Sequence, residues 1–470
     1  MKFLLVLLLF SIVFTARAQQ FSQFNTGTLF DSFENPAQRA FIPDSSRQFA
    51  ANFFIPNLGA TGQFTGNGQN SIRSLIKKGD YNSNGLTYGL QNRNNFSAGL
   101  NTYWLMLKMF SRLDGDQEFG FSVQTKAEAS GSATDETLLL LDAYRDFNNG
   151  TYNRDLFNDH AQAQAYHQIS FTFRKKVSPA FAFGVKLSAL LGIYYDKIDI
   201  QNSGFYVSND NSRAVLFLKG KYASSYTGDY ERKNLSSFKN PGAAVSFGVQ
   251  GLLKNGILLQ GNLKDLGFIR WNKDAVTYQY NGSESINNIA TASKSDEQIL
   301  KAANRIVNEN GSQHAFYSPI NSNADLSASK KFNVFNADFY DTPNLIVSKS
   351  LFYNDLTAAF VNHFTYKNLW FTTLASYNNE RIWNAGLQLM FKTPNTEFYI
   401  GTEQLFKSAH VLNTNYSTSY NSTGINAFLG FSLKFGRFIE HPANASYIPT
   451  GEESGFFNRM WTRIFKKSNY

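Results

Sequence analysis

Histidine is the residue type here best suited to acid–base or metal chemistry, and the six copies are scattered: His160, His167, His314, His363, His410 and His441. Only His160 and His167 stand near one another, seven apart, and a histidine at a strand rim without a partner is a surface residue before it is a ligand or base. There is no cysteine, which excludes disulfides, thiolate chemistry and Cys-ligated zinc. The motifs G-x-S-x-G, H-E-x-x-H and the P-loop are missing; GNGQNS at 66–71 lacks the third glycine of a dinucleotide-binding turn and is not expected to open a helix. A serine and a histidine that meet only in three dimensions are the one catalytic arrangement left open. No catalytic residue, metal site or cofactor is assigned, and the chain is not read as an enzyme.

The remaining chemistry lies in charges that recur at every second position of apolar runs. Glu118, Lys126, Arg174, Lys186, Lys264, Glu403 and Lys434 share the parity of small and polar residues, opposite large apolar ones. Two roles fit them. They could solvate and pair across a polar lumen, or they could form a wall that attracts a carboxylate or another anionic headgroup.

The elements that must position them are strands. In EFGFSVQTK, Phe119, Phe121 and Val123 share one face while Glu118, Gly120, Ser122, Gln124 and Lys126 share the other. The split recurs at Ile169, Phe171 and Phe173 against Ser170, Thr172 and Arg174, and again from Phe181 to Ala189. It returns near the C-terminus, where Leu429, Phe431, Leu433 and Phe435 oppose Gly430, Ser432 and Lys434, with Phe428 the one large residue on the wrong face. Repeated over the whole chain, this is the pattern of a strand with lipid on one side and a polar lumen on the other. It predicts an all-β transmembrane antiparallel β-barrel of about 14 strands, within a range of 12–16. The segments are 49–56, 96–107, 117–127, 166–175, 180–199, 213–222, 242–253, 256–265, 341–350, 355–365, 368–377, 381–391, 397–405 and 425–436. Of these, 213–222 also fits a hairpin outside the membrane. Short turns such as LKNGI and YNNERI alternate with long gaps at 57–95, 128–165 and 274–340, so one rim should carry short turns and the other long loops. A soluble all-β protein would alternate as well, but no linker divides the chain into domains.

Two gaps read as short helices. In 295–311, Ser295 and Gln298 are spaced as a capping box, Ile299, Ala302, Ala303, Ile306 and Val307 share a face, and Gly311 is a stop. TDETLLLLDAYRDF places acids in a first turn before Leu138 to Leu141. Residues 1–18 have a lysine, a dozen apolar residues and an A-R-A ending, the pattern of a secretory signal cut before Gln19. That leaves a barrel over 19–436 and a tail over 437–470. Mean hydropathy is −0.32 and aromatic content is 16%, with 45 Phe and 24 Tyr, which favours strands. Net charge is +9, two lower once Lys2 and Arg17 leave, and acids are interspersed with the basic residues, so no nucleic-acid surface is expected.

ENPA before an alternating strand, and LQGNLKDLGFIRW, resemble elements of outer-membrane β-barrels of Bacteroidota. The first resembles the Asn-Pro-Ala element shared by FadL-like and PorP/SprF-like barrels; the second resembles the strand ending in Asp-Leu-Gly of FadL-like proteins. Its continuation through Ile269, Arg270 and Trp271 points to a barrel family filed as a domain of unknown function. The resemblance implies residence in the bacterial outer membrane, among its lipids, and passive transport of a hydrophobic or amphipathic small molecule. The alternative is a non-transporting scaffold that docks a periplasmic or outer-membrane protein partner in secretion or surface motility. Asn35, Pro36 and Ala37 are expected to lead the chain stiffly toward the barrel wall, since Pro36 fixes φ and restricts Asn35. Asp265 and Gly267 are expected to shape a strand end.

The tail carries Phe457, Trp461, Ile464 and Phe465 at helical spacing, with Arg459, Arg463, Lys466 and Lys467 and no acid from residue 454 onward. Such an amphipathic basic helix suits a membrane interface or a partner, and equally a cap on the barrel mouth. Deleting 452–470 should leave a barrel that still shifts on heating in gels while interface or partner contacts loosen. Failure of the truncated chain to fold would make the tail part of the barrel.

Overall fold

The computed structural model describes residues 26–38, 47–79, 81–111, 113–140, 147, 152–210, 212–226, 238–287, 289, 295–334, 338–352, 355–412 and 422–438. The expected export signal and the tail helix lie outside the described residues. Among those described, no helix is long and apolar enough to cross a membrane.

The chain forms one closed antiparallel barrel of 14 wall strands. The first is broken in two, β1 (Arg47–Ala51) and β2 (Asn57–Thr65); β3 (Arg93–Phe110) and β4 (Gln117–Thr134) follow. The short β5 (Asn153–Arg154) stands above the wall, which continues through β6 (His160–Ser178) and β7 (Phe181–Val207). Next in sequence are β8 (Arg213–Ser224), β9 (Pro241–Leu252), β10 (Ile257–Trp271), β11 (Val276–Asn287) and β12 (Gly311–Gln313). Then come β13 (Phe316–Pro319), β14 (Asn323–Lys330), β15 (Phe332–Asn333), β16 (Phe339–Ser350) and β17 (Leu356–Tyr366). The chain closes through β18 (Leu369–Asn378), β19 (Trp383–Lys392), β20 (Thr396–Thr402) and β21 (Ser422–Phe438), which pairs back onto β1 and β2. Every wall strand thus has a partner on each side, as strands must in a medium without water to satisfy a free edge.

Alternation sets the faces. Phe171, Leu187, Leu326, Leu345, Phe360 and Leu389 project outward and exposed, while Thr172, Lys186, Ser327, Asn344 and Gln388 turn inward and buried. Short turns after β3, β6, β9, β17 and β19 share one rim, and the long connections share the other.

The strand number agrees with the expected fourteen, but its membership differs by one exchange. Residues 213–222 do not enter the wall: β8 and β11 extend the far end of β7 beyond the barrel, where β9 replaces β8 as the neighbour of β7. The missing wall strand is β14, between β10 and β16. It lay in the 274–340 gap because its outward residues are Ala324, Leu326 and Ala328, a single large side chain being too weak a pattern to read. The extension has its own core, in which Leu216, Leu218, Tyr280 and Ile286 pack against Ile299, Ala302 and Ile306 of a helix at Ser295–Val307. That face is the one its spacing predicts.

Further differences concern helices and strand ends. We number the helices α1 (Leu29–Glu34), α2 (Gln69–Lys78), α3 (Asp135–Leu140), α4 (Ser295–Val307) and α5 (Leu405–Leu412). The GNGQNS turn does open a helix, α2, and the gap 57–95 begins with wall strand β2. The expected helix after Thr134 is described only as α3; residues 141–146 lie outside the described residues. β10 runs past Asp265 to Trp271, so Asp265 and Gly267 lie within a strand rather than at its end. A bulge at Lys264–Asp265 re-phases the strand and lets it keep pairing with β9.

The break in the first strand is sealed by two asparagines. Phe53 and Phe54 loop outward with φ of 47° and 63°, a left-handed backbone that costs about 1–2 kcal/mol per residue. Opposite them, Asn52 Oδ1 accepts from Met106 N at 2.8 Å, and Asn57 Oδ1 accepts from Phe431 N at 3.1 Å. Two ladder positions that the loop vacates are therefore filled by side chains. Asn52→Ala should destabilise the barrel by about 1–3 kcal/mol, because it strands a buried N–H. Urea unfolding in lipid vesicles would read this, and an unchanged midpoint would mean that the break is not held by Asn52.

Candidate functional site

The lumen on the short-turn side is occupied by the chain's own N-terminal segment. In α1, Thr28 caps by accepting from Asp31 N at 3.1 Å, as an N-cap threonine does. Leu29, Phe30 and Phe33 pack inside the barrel against Tyr103, Met106, Tyr399 and Phe428. Phe428, the large residue on the inward face of the last strand, is thereby explained: it packs against the plug.

Polar contacts lock this plug to the wall. Tyr103 Oη donates to Glu34 Oε1 at 2.6 Å, and Lys264 pairs with the same carboxylate. Leu29 N donates to Glu397 Oε1 at 2.5 Å, and Glu397 pairs with Lys434 at 3.3 Å. Lys108 Nζ donates to Ser32 O at 2.9 Å and pairs with Glu118 at 3.0 Å. Lys392 Nζ donates to Thr26 O at 2.5 Å.

The Asn-Pro-Ala tripeptide is the end of the plug. It lies within the lumen, and residues 39–46, which join it to the first wall strand, lie outside the described residues. Asn35 Oδ1 accepts from Ala37 N at 3.0 Å, closing a tight turn, and Arg174 Nε donates to Pro36 O at 2.9 Å. The wall makes room with Gly184 and Gly248. A Cβ on Gly184 would fall 2.1 Å from Pro36 O, and one on Gly248 would fall 2.3 Å from Asn35 Oδ1. Only glycine allows that approach.

The seven charges singled out by parity all face the lumen, and the structure brings most of them together. Asp265, on the mouth side of the plug contacts made by Asn262 and Lys264, has no exposed surface. It pairs with Lys126 and, at 2.9 Å, with Lys186, while Gln168 Nε2 donates to it at 2.9 Å. Its φ of 52° is the bulge geometry that turns the carboxylate inward. Arg174 pairs with Glu118. Each of these cations meets a carboxylate, so no free positive rail for an anionic headgroup remains among them. Glu403 stands apart from the network, at the opposite mouth. At Gly267 a Cβ would fall 2.3 Å from Ala243 O on the paired strand, so the close approach there requires glycine. Parity missed Lys108 and Lys392, each of which sits one residue beyond an expected strand end. Asp31 and Glu34 carry no strand signal at all.

At the long-loop mouth the lumen opens into a cavity of about 630 Å³. Its wall is polar: carboxamides of Asn95, Gln162, Asn378, Asn384 and Gln404, hydroxyls of Ser97, Ser130, Ser132 and Ser376, and carboxylates of Asp199, Asp355, Glu380 and Glu403. Lys197 and His160 are its basic residues and Phe352 its large apolar one, while the side chains of Phe96 and Ile198 lie on the opposite face of their strands from Ser97 and Lys197. Going down the wall, the next inward positions below Thr357 and Ser376 are Ala359 and Leu374, which join Val361 and Ile346 in an apolar patch. His160 and His167 point to opposite faces of β6: His167 bonds Thr125 on the outer wall, while His160 lines the cavity. Among the described residues no group of three or more His, Cys, Asp or Glu could hold a metal.

Loops fix the rim of this cavity. Burial alone would raise the Asp135 carboxyl, but hydrogen bonds from Asn67, Asn94 and Thr87 outweigh it and hold it below its ordinary value. Burial pushes Asp159 up to about 6 despite hydrogen bonds from Thr137 and Thr134. Burial lowers Lys407 on α5 to about 8, opposed by the Glu380 carboxylate.

The profile of a family described as "Family of unknown function (DUF5723)" matches residues 40–403. No curated protein matches the chain. Among solved structures it is similar to a Pseudomonas aeruginosa FadL homologue, at 11% identity and a TM-score of 0.43, covering 89% of this chain and 98% of that one. It is also similar to the toluene transporters TodX of Pseudomonas putida and TbuX of Ralstonia pickettii. Each of these is 9% identical and covers 87% of this chain and 94% of its own, with TM-scores of 0.41 and 0.42.

Because the chain has no native cysteine, Ser32→Cys supplies a lone thiol inside the plug. Adding Gly184→Ala should expel the Asn-Pro-Ala turn and make that thiol react with a maleimide about tenfold faster or more, while the barrel still shifts on heating. Equal labelling rates would show that the plug does not depend on the Gly184 gap.

Proposed function

For this chain, which belongs to the DUF5723 family of unknown function, we propose passive transport of an amphipathic small molecule across the bacterial outer membrane, to which the chain is exported by its N-terminal signal. The observation that carries this reading is the arrangement of the lumen: a cavity of about 630 Å³ at one mouth and, at the other, a plug held only by non-covalent contacts. A cavity of that size lies within the ~300–1,000 Å³ of small-molecule sites. Its polar wall does not suit a purely apolar solute, which would leave amides and carboxylates without partners. An amphipathic one would find polar groups at the mouth and the apolar patch of Ile346, Ala359, Val361 and Leu374 below. Transport then requires the plug to move, and the Glu34–Lys264 pair is among the contacts it must break.

The buried plug also favours a second reading, a sealed barrel that serves as a scaffold for a periplasmic or outer-membrane protein partner. Flux in proteoliposomes separates the two. Transport predicts saturable flux of an amphipathic solute through the native protein, together with faster, unselective leakage after removal of residues 26–38. A native protein that passes nothing and co-purifies stably with a partner would reject transport.

A further inference from the structure

We propose that the cavity at the long-loop mouth is a recognition site for a neutral polyhydroxylated group, a short saccharide or the sugar head of an amphipathic molecule. This deepens the transport reading and rests on it for its purpose, although binding itself requires no flux. The inference follows from the kind of polar group in the wall. A carboxamide both donates and accepts, a serine hydroxyl does the same, and a carboxylate accepts twice. Vicinal sugar hydroxyls also donate and accept, so each can be met on both counts.

Other ligand classes fit less well. An alkyl chain would leave these buried polar groups unsatisfied. A phosphate or carboxylate would face Asp199, Asp355, Glu380 and Glu403 with Lys197 as the one lysine in the lining. A polyamine would suit the carboxylates but not the amide and hydroxyl donors, which outnumber them around the wall.

Two acceptors in the wall are also unused. The carboxamide oxygens of Asn384 and Gln404 are buried and accept no hydrogen bond, although the Gln404 amide nitrogen reaches Thr61 and Gln63, each at 3.3 Å. Both amides belong to the lining, where a turn of the side chain would bring the free oxygen to a ligand hydroxyl. Apolar contact is provided by Phe352 in the lining. The C–H face of a pyranose could lie on such a ring.

Isothermal titration of the full chain in detergent would test this, with maltotriose, cellotriose and chitotriose as neutral probes and oleate, glucose 6-phosphate and spermidine as contrasts. At least one neutral trisaccharide should bind saturably, and Gln404→Ala and Asn384→Leu should each weaken it by about tenfold or more. Ser130→Trp, which places an indole in the cavity, should abolish binding while the barrel stays heat-modifiable. The proposal is overturned if no trisaccharide binds up to about 10 mM, if oleate or spermidine binds in their place, or if Ser130→Trp leaves sugar binding intact. Sugar binding without flux would keep this site and reject transport; flux of oleate without sugar binding would do the reverse.

Discussion

The buried contact between Glu34 and Lys264 joins the N-terminal plug to the barrel, and the rest of the lumen is arranged around the need to neutralise such charges. A fourteen-strand barrel encloses more space than its own inward side chains readily fill. The chain fills it with its own residues 26–38, and the inward lysines and Arg174 then lose contact with water. Each must meet an anion or a carbonyl, because breaking a buried pair by removing one partner costs about 3–5 kcal/mol. Asp265 serves Lys126 and Lys186, Glu118 serves Lys108 and Arg174, and Glu397 serves Lys434. The same arithmetic makes the plug cooperative. Withdrawing Glu34 would leave Lys264 without its nearest carboxylate and Tyr103 without its acceptor.

The lumen is consequently graded along its length. Paired charges and the plug occupy the short-turn half, an apolar patch and the Trp271 cluster lie higher, and amides and hydroxyls line the mouth. The wall has less freedom. Backbone groups facing hydrocarbon must pair, so the strands close into a cylinder, and even the break after Ala51 is mended by Asn52 and Asn57.

The sequence by itself determined the barrel, because a strand with lipid on one side and a lumen on the other must alternate, and that period needs no tertiary information to be read. It also placed Glu118, Lys126, Arg174, Lys186, Lys264 and Lys434 inside, since parity alone decides the face. What it could not determine was which alternating segments enter the wall: β8 alternates well and stays outside, whereas β14 alternates weakly and goes in. Pairing between strands decides that, and pairing is a relation between distant segments. Nor could it show that Asn35, Pro36 and Ala37 end a plug, because the signal for a seat is the absence of a side chain at Gly184 and Gly248, nearly 150 and more than 200 residues away. Paired charges and free ones look alike in a sequence; only the closed barrel brought Glu34 to Lys264 and gathered the amides of four strands and a loop around one cavity.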